Sequence, residues 1–483
     1  RVKKHNRMAE IALGNAEGYS AMATLLTGRA YPKQILDDNW RVALLNQFHD
    51  ILPGSSIEDV YRESDRQYAA LFDALHGVTA GALGEIAGNV GAEGQTVVFN
   101  NTPFTANGAV TAEGKTRIVQ AIPAHGYRAV TFGATACGVM VGERRLTNAL
   151  YDLCFAEDGS IVSLRDLVSG REIVAPGGRL NRFAVFEDLP YEYDNWEMTP
   201  YHRQKEWKFD GAATFTPLDD GDRRGFEIVR RYGQSQVTQR VWLWGEGIPR
   251  IDFETSVVWR ERGQLLKAVF PFDLLCDTAR YEIQFGHVER GTHPNTSWDS
   301  ARFESVAHKW VDMSEGNYGV ALLNDGKYGF GTDGATLTVT LAKCGGFPYP
   351  GASDEIPDFT YSLLPHAGGA LTDVIREAYV LNNPMTTLPG GTGSLPSTFS
   401  LVTSDDDGVV VETVKRAEEG DSTVFRLYEA VKGHHTVRLR FGVPVREAWL
   451  VNLMEQDPTP VPVTDGTVTL SVKPFEILTL QVK

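Results

Sequence analysis

The residues best suited to chemistry gather around His49, in the run Asn46-Gln47-Phe48-His49-Asp50-Ile51-Leu52-Pro53-Gly54-Ser55-Ser56. The carbonyl end of a helix is partially negative and favours a nearby cation. An imidazole there, with a carboxylate beside it, is a piece of a metal site. Successive helical residues point about 100° apart, so His49 and Asp50 can address different groups. One imidazole is not a metal site, since zinc takes about four ligands, and a helix-terminal structural histidine is the alternative reading. His287, His293 and His308 also lie close together, but their spacings of six and fifteen match no helical zinc motif. Structural hydrogen bonding or surface exposure explains them more simply. With 62 acidic residues in the chain, no single pair of carboxylates marks itself out. There is no GxSxG elbow, P-loop or dinucleotide fingerprint. Cys137, Cys154, Cys276 and Cys344 form no CxxC pair and no disulfide framework. They read as free thiols in a reducing compartment.

The elements that must position these residues change character along the chain. Met8, Ile11, Ala12, Tyr19, Met22, Ala23 and Leu26 recur at helical spacing. Ile35, Leu36, Trp40, Leu44 and Phe48 mark a second helix, expected to end near Ile51 because Pro53 disfavours helical geometry at Leu52. Ser55 and Glu58 have capping-box spacing for a third helix, with Val60, Tyr61, Tyr68, Leu71, Phe72, Leu75 and Val78 on its apolar face. Three such helices joined by short turns should pack as an antiparallel bundle. Beyond about residue 91 the texture turns to short alternating runs between Gly, Pro, Asn and Asp. Strands are expected at 96–99, 226–232, 236–244, 318–323, 337–341 and 478–482. Their density points to β-sandwiches. The Gly/Pro/Thr-rich stretch 389–396 reads as a linker.

The 483 residues suffice for about three domains and a large core. Lys+Arg 46 against Asp+Glu 62 gives a net charge of −16, which argues against a nucleic-acid partner and against docking on an anionic membrane. No run approaches the ~20 apolar residues of a membrane helix. The chain opens Arg-Val-Lys-Lys without Met, which reads as a fragment whose N-terminus lies upstream, with any targeting signal there out of view.

The run 46–56 resembles the signature segment of family 38 glycoside hydrolases, the retaining zinc-dependent α-mannosidases. The resemblance continues in family order. Val98-Phe99-Asn100 is similar to the strand opening the family's β region. Gly159-Ser160-Ile161 with Gly170-Arg171-Glu172 resembles a strand pair, and Glu187-Asp188-Leu189-Pro190 with Asp194-Asn195-Trp196 a "D-x-P…D-x-W" segment. Glu289-Arg290-Gly291-Thr292-His293, Trp298-Asp299, Phe303-Glu304 and His308-Lys309-Trp310 resemble a further block. Tyr361 to His366 and Pro474-Phe475-Glu476-Ile477 follow. Gly291 stands where Pro is expected and Asn195 where Ala is usual. The likeness is greatest to the bacterial and cytosolic subgroup, implying a cytoplasmic protein.

The resemblance implies a mainly β fold with an N-terminal three-helix bundle (1–90), a small β domain (91–145), a large galactose-mutarotase-like β-sandwich (146–388) and a C-terminal β-sandwich (389–483). It implies that the nucleophile, the acid/base and three zinc ligands lie in an N-terminal catalytic domain missing from this chain, so no catalytic residue is assigned here. His49 matches the fourth zinc ligand and Asp50 a residue that reaches the bound sugar. Trp196 could stack on a sugar face, Arg290 could hydrogen-bond its hydroxyls, and Asp194 joins them as a substrate-binding candidate. The expected partners are the catalytic domain and an α-mannoside, with zinc as cofactor and a homo-oligomer left open. The fragment alone is expected to be inactive. Two rival classes remain at this point. One is a non-catalytic carbohydrate-binding sandwich. The other is a mutarotase or epimerase using His287 or His308 opposite Glu289 or Glu304.

Overall fold

The computed structural model describes residues 1–134, 137–352 and 356–483. Three helices open the chain: α1 (Val2–Thr27), α2 (Lys33–Asn46) and α3 (Glu58–Asn89). α1 ends on Gly28 at φ 77°, the left-handed conformation that glycine adopts without a Cβ clash. Gln47 at the end of α2 bonds Asn6 and Glu10 near the start of α1, while Trp40 reaches Glu17, so α2 runs antiparallel to α1. His5 packs on Tyr68 and Arg29 pairs with Glu85, so α3 runs back alongside α1. Ala9, Leu13, Leu36, Ala43, Tyr68, Leu71 and Leu75 form the shared core.

Two local expectations fail. α2 stops at Asn46, a turn before Ile51, and 47–54 form successive turns instead. Asn46 accounts for part of this: its side-chain amide bonds back to the Val42 carbonyl and across to Gln67, and Pro53 then bars a return to the helix. The capping box is also absent. Ile57 is the N-cap of α3 without a side-chain bond, and Glu58 pairs with Arg62 instead. Ser56 turns towards Tyr61 and Asp50, which removes this stretch from cap geometry.

The rest is mainly β. A nine-stranded antiparallel sheet and a six-stranded sheet enclose one large core that includes Phe183, Phe226, Phe253, Phe270, Tyr281, Phe330 and Tyr361. A five-stranded and a four-stranded sheet form the C-terminal sandwich, whose core takes in Tyr19 and Met22 of α1, Leu83 and Ile86 of α3, and Phe99. A further four-stranded sheet draws Thr96–Asn100 and Gly126–Val130 together with Thr386–Pro389 and Thr398–Ser400. The stretch 389–396 between the last two strands hydrogen-bonds to Ala87, Asn89 and Gly91 at the end of α3. Helical and β regions therefore share cores. Among the described residues no helix is long and apolar enough to cross a membrane.

Glu17 lies where the bundle meets the C-terminal sandwich. It is buried and accepts a hydrogen bond from Trp40 Nε1 at 3.0 Å, with Lys415, Glu418 and Tyr31 around it. Burial pushes its carboxyl up to about 7. The folded state therefore holds a proton that the unfolded chain has released above about pH 4.5. Stability should fall as pH rises from there to about 7, by up to about 2–3 kcal/mol, and then level off. Glu17→Gln should melt higher than wild type at pH 8 and at the same temperature at pH 4, as read by calorimetry.

Candidate functional site

The turn after α2 carries His49 outward. Lys3 Nζ donates to the Pro53 carbonyl at 2.7 Å. The Tyr61 hydroxyl accepts the Ser56 N–H at 2.8 Å and donates to the Ile51 carbonyl at 3.3 Å. Ser56 Oγ donates to the Asp50 carbonyl at 2.6 Å. The backbone is thus held at several points, while the His49 and Asp50 side chains are 78% and 67% exposed, with Nε2 and Oδ2 3.8 Å apart. The Phe48 ring lies against the imidazole at 4.2 Å between centroids. His49 is three residues past the helix, on a turn open to whatever faces it.

The loop of Asp194 and Trp196 meets the segment that follows the turn, where Gly54 and Asn195 line one cavity. Asp194 accepts the N–H of Gly346 at 2.8 Å on one oxygen and of Phe347 at 2.7 Å on the other. Its carboxylate thus clamps the neighbouring loop and can accept further bonds only on its remaining lone pairs. The Asn195 N–H donates to the Phe347 carbonyl at 3.1 Å, and Asn195 Nδ2 donates to the Tyr349 carbonyl at 2.9 Å, a bond that alanine could not make. The Tyr349 ring stacks on Tyr61, centroids 5.9 Å apart and planes at 20°. Tyr61 is the same residue whose hydroxyl holds the His49 turn. A cavity of about 560 Å³ beneath is lined by Lys3 and Gly54 from the helical region and by Asn195, Met198 and Lys343 from the β region. On the same loop Trp196 is 67% exposed and Tyr191 94%.

Arg290 sits on the edge strand Gly286–Gly291, its guanidinium 5.3 Å from the centre of the Tyr281 ring and its Nε buried without a hydrogen bond. The histidine trio is dispersed in role. His287 is buried against Phe475 and bonds the Ala430 carbonyl, and His293 pairs with Asp277. Burial pushes His308 down to about 4. Glu304 is engaged by Lys267 and Thr340. Cys137, Cys154 and Cys276 are free thiols.

Among the described residues no group of three or more His, Cys, Asp or Glu side chains could hold a metal. His49 therefore suits one ligand position of a site completed from outside these residues, since zinc takes about four ligands. Tyr61 and Tyr349 were not legible as site residues: 288 positions separate them, and Tyr61 falls on the ordinary apolar stripe of its helix.

Three family models match the chain: "Alpha mannosidase middle domain" over residues 1–86, "Glycosyl hydrolases family 38 C-terminal domain" over 146–350, and "Glycosyl hydrolases family 38 C-terminal beta sandwich domain" over 408–480. Alpha-mannosidase 2C1 from Homo sapiens is 34% identical over 99% of the chain and 48% of its own length. Alpha-mannosidase G from Dictyostelium discoideum is 27% identical, over 99% and 51%. The chain thus spans about half the length of these curated relatives. The crystal structure of an alpha-mannosidase from Enterococcus faecalis V583 superimposes with a TM-score of 0.86 at 17% identity, covering 100% of this chain and 67% of that one, which shows the fold.

Exposure makes a direct prediction. Limited treatment with diethyl pyrocarbonate should modify His49 along with exposed His76 and His434, and should spare buried His125, His287 and His366. Peptide mass mapping checks the order, and protection of His49 would show that the turn closes over it.

Proposed function

Because the chain belongs to glycoside hydrolase family 38, we propose that it is the part of a zinc-dependent α-mannosidase that supplies one metal ligand and one wall of the sugar site. The observation that carries this reading is the open His49–Asp50 turn, tied through Tyr61 and Tyr349 to the Asp194–Trp196 loop. The two relatives named above are alpha-mannosidases by name and about twice as long as this chain, which supports a further domain bearing the remaining machinery. Leu44, Leu45, Phe48, Ile57, Leu189 and Tyr191 expose apolar surface around the turn and loop and offer that domain a docking face.

In this reading the whole enzyme releases terminal α-linked mannose from glycans with retention, which calls for two carboxyl groups about 5–5.5 Å apart. Neither is assigned to this chain. Bound zinc would supply Lewis-acid stabilisation and orient the sugar's hydroxyls. His49 holds its imidazole outward as a ligand. Asp50 presents an acceptor for sugar hydroxyls, and Trp196 an apolar face on which a ring can lie, so that turn and loop together fix orientation and exclude water. Arg290 offers donors for sugar hydroxyls as a further substrate contact. The large sandwich is taken as galactose-mutarotase-like, on the strength of two large sheets facing across one core. A cytoplasmic setting suits the free thiols of Cys137, Cys154 and Cys276.

Two measurements test this. The chain alone should not release the phenol from an aryl α-mannoside; zinc-dependent turnover that disappears on mutating one of its own carboxylates would overturn the division of labour. In the full-length protein, His49→Ala should lose zinc and activity together, by more than the ~10–100-fold typical of residues that only support a ligand. Stoichiometric zinc with normal turnover in that variant would refute the assignment.

A further inference from the structure

We propose that Tyr349 is a positioning residue for the His49–Asp50 turn: its ring braces Tyr61, and through Tyr61 the turn and the aromatic loop of the β region move as one body. The consequence for a sugar site rests on the mannosidase reading, whereas the brace itself does not.

The bundle core explains the role. Its residues come from the three helices and their connections, and Tyr349 packs against it from the β region. It meets the bundle where the turn is anchored. Tyr61 lies on the first full turns of α3, and its hydroxyl bonds both Ser56 N–H and the Ile51 carbonyl, one on each side of Pro53-Gly54. Any shift of the Tyr61 ring therefore moves both ends of that segment, and Ser56 in turn holds the Asp50 carbonyl. Tyr349 supports the Tyr61 ring through a near-parallel stack.

Tyr349 is itself anchored from the other side. Its carbonyl accepts from Asn195 Nδ2, and the carboxylate of Asp194 gathers the N–H groups of Gly346 and Phe347. Tyr193 adds a ring contact to Phe347 at 5.3 Å. The path from Trp196 to His49 thus runs from the Asn195 amide through the Tyr349–Tyr61 stack to Ser56 and the backbone of the turn. Rotamer freedom at Trp196 and His49 is left intact, while the backbones beneath them are fixed relative to each other. A site assembled from groups far apart in sequence needs that arrangement, because small misplacements cost rate steeply.

Hydrogen exchange on this chain tests the brace. Tyr349→Ala should speed exchange of the 47–57 segment about tenfold, with Tyr349→Phe at the wild-type rate and the strands between 409 and 441 unchanged. Unchanged 47–57 protection in Tyr349→Ala overturns the proposal. Asn195→Ala keeps the ring and removes only the anchoring bond, so it decides the matter should Tyr349→Ala unfold. It should loosen 47–57 by a smaller factor, and wild-type protection there refutes the coupling. In the full-length protein Tyr349→Ala should raise KM for an aryl α-mannoside and the rate of zinc loss to a chelator about tenfold each, with Tyr349→Phe restoring both. Exchange coupling without either effect overturns the positioning role. A wild-type protein inert towards mannosides would instead refute the mannosidase reading and leave the exchange result standing.

Discussion

Everything near the His49 turn depends on the burial of α1. Thirteen of its 26 residues are buried, Arg7 and Glu17 among them, because it packs on the other helices and on the β regions at once. A buried guanidinium is costly unless its donors are met. Arg7 donates to the carbonyl and side-chain oxygens of Asn324 at 3.0 and 3.1 Å and to the Tyr328 hydroxyl at 3.0 Å, with its charge 4.4 Å from the centre of the Tyr328 ring. Further along, Asn15 bonds Asn383 and Asn101, and Asn101 packs so closely on Gly18 that a Cβ there would lie 2.7 Å from its side-chain oxygen. These contacts fix the bundle against the sandwich, and so fix where the turn after α2 can point.

Buried charge recurs within the β region. Lys309 pairs with Glu282 at 2.8 Å, and Arg250 bridges Asp252 and Glu377 at 3.0 and 2.7 Å. His366 has an acceptor at each ring nitrogen, Asp312 and the Ala367 carbonyl, and against the opposing effect of burial these raise its pKa. Such groups add little net stability over apolar packing, but losing one partner strands the other in a poorly solvating interior. They restrict how the sheets and helices can be joined more than they add to their cohesion.

Much of this architecture was legible from periodicity. The apolar spacing of Tyr68, Leu71 and Leu75 marks α3, and the alternating runs at 226–232 and 236–244 lie within the hairpin Arg223–Tyr232 and Ser235–Trp244. Local rules failed where long-range contacts set the geometry. Ser55 does not cap α3, because the next residue, Ser56, is held by Tyr61 and Asp50 and Ile57 becomes the N-cap, and α2 ends where Asn46 folds back on its own helix. Buried Arg7 and Glu17 carry no sequence signal, because their partners lie on other elements. His49 stood out as a motif, while the brace beneath it joins positions 61 and 349, which no local pattern connects.

The most direct measurement is an anomalous diffraction map at the zinc edge from crystals of the full-length protein. A zinc peak about 2.0–2.1 Å from an imidazole nitrogen of His49, with Asp50 and Trp196 facing the same cleft, is what this account predicts. Zinc bound elsewhere, with the His49 ring in open solvent or packed against protein alone, would contradict it.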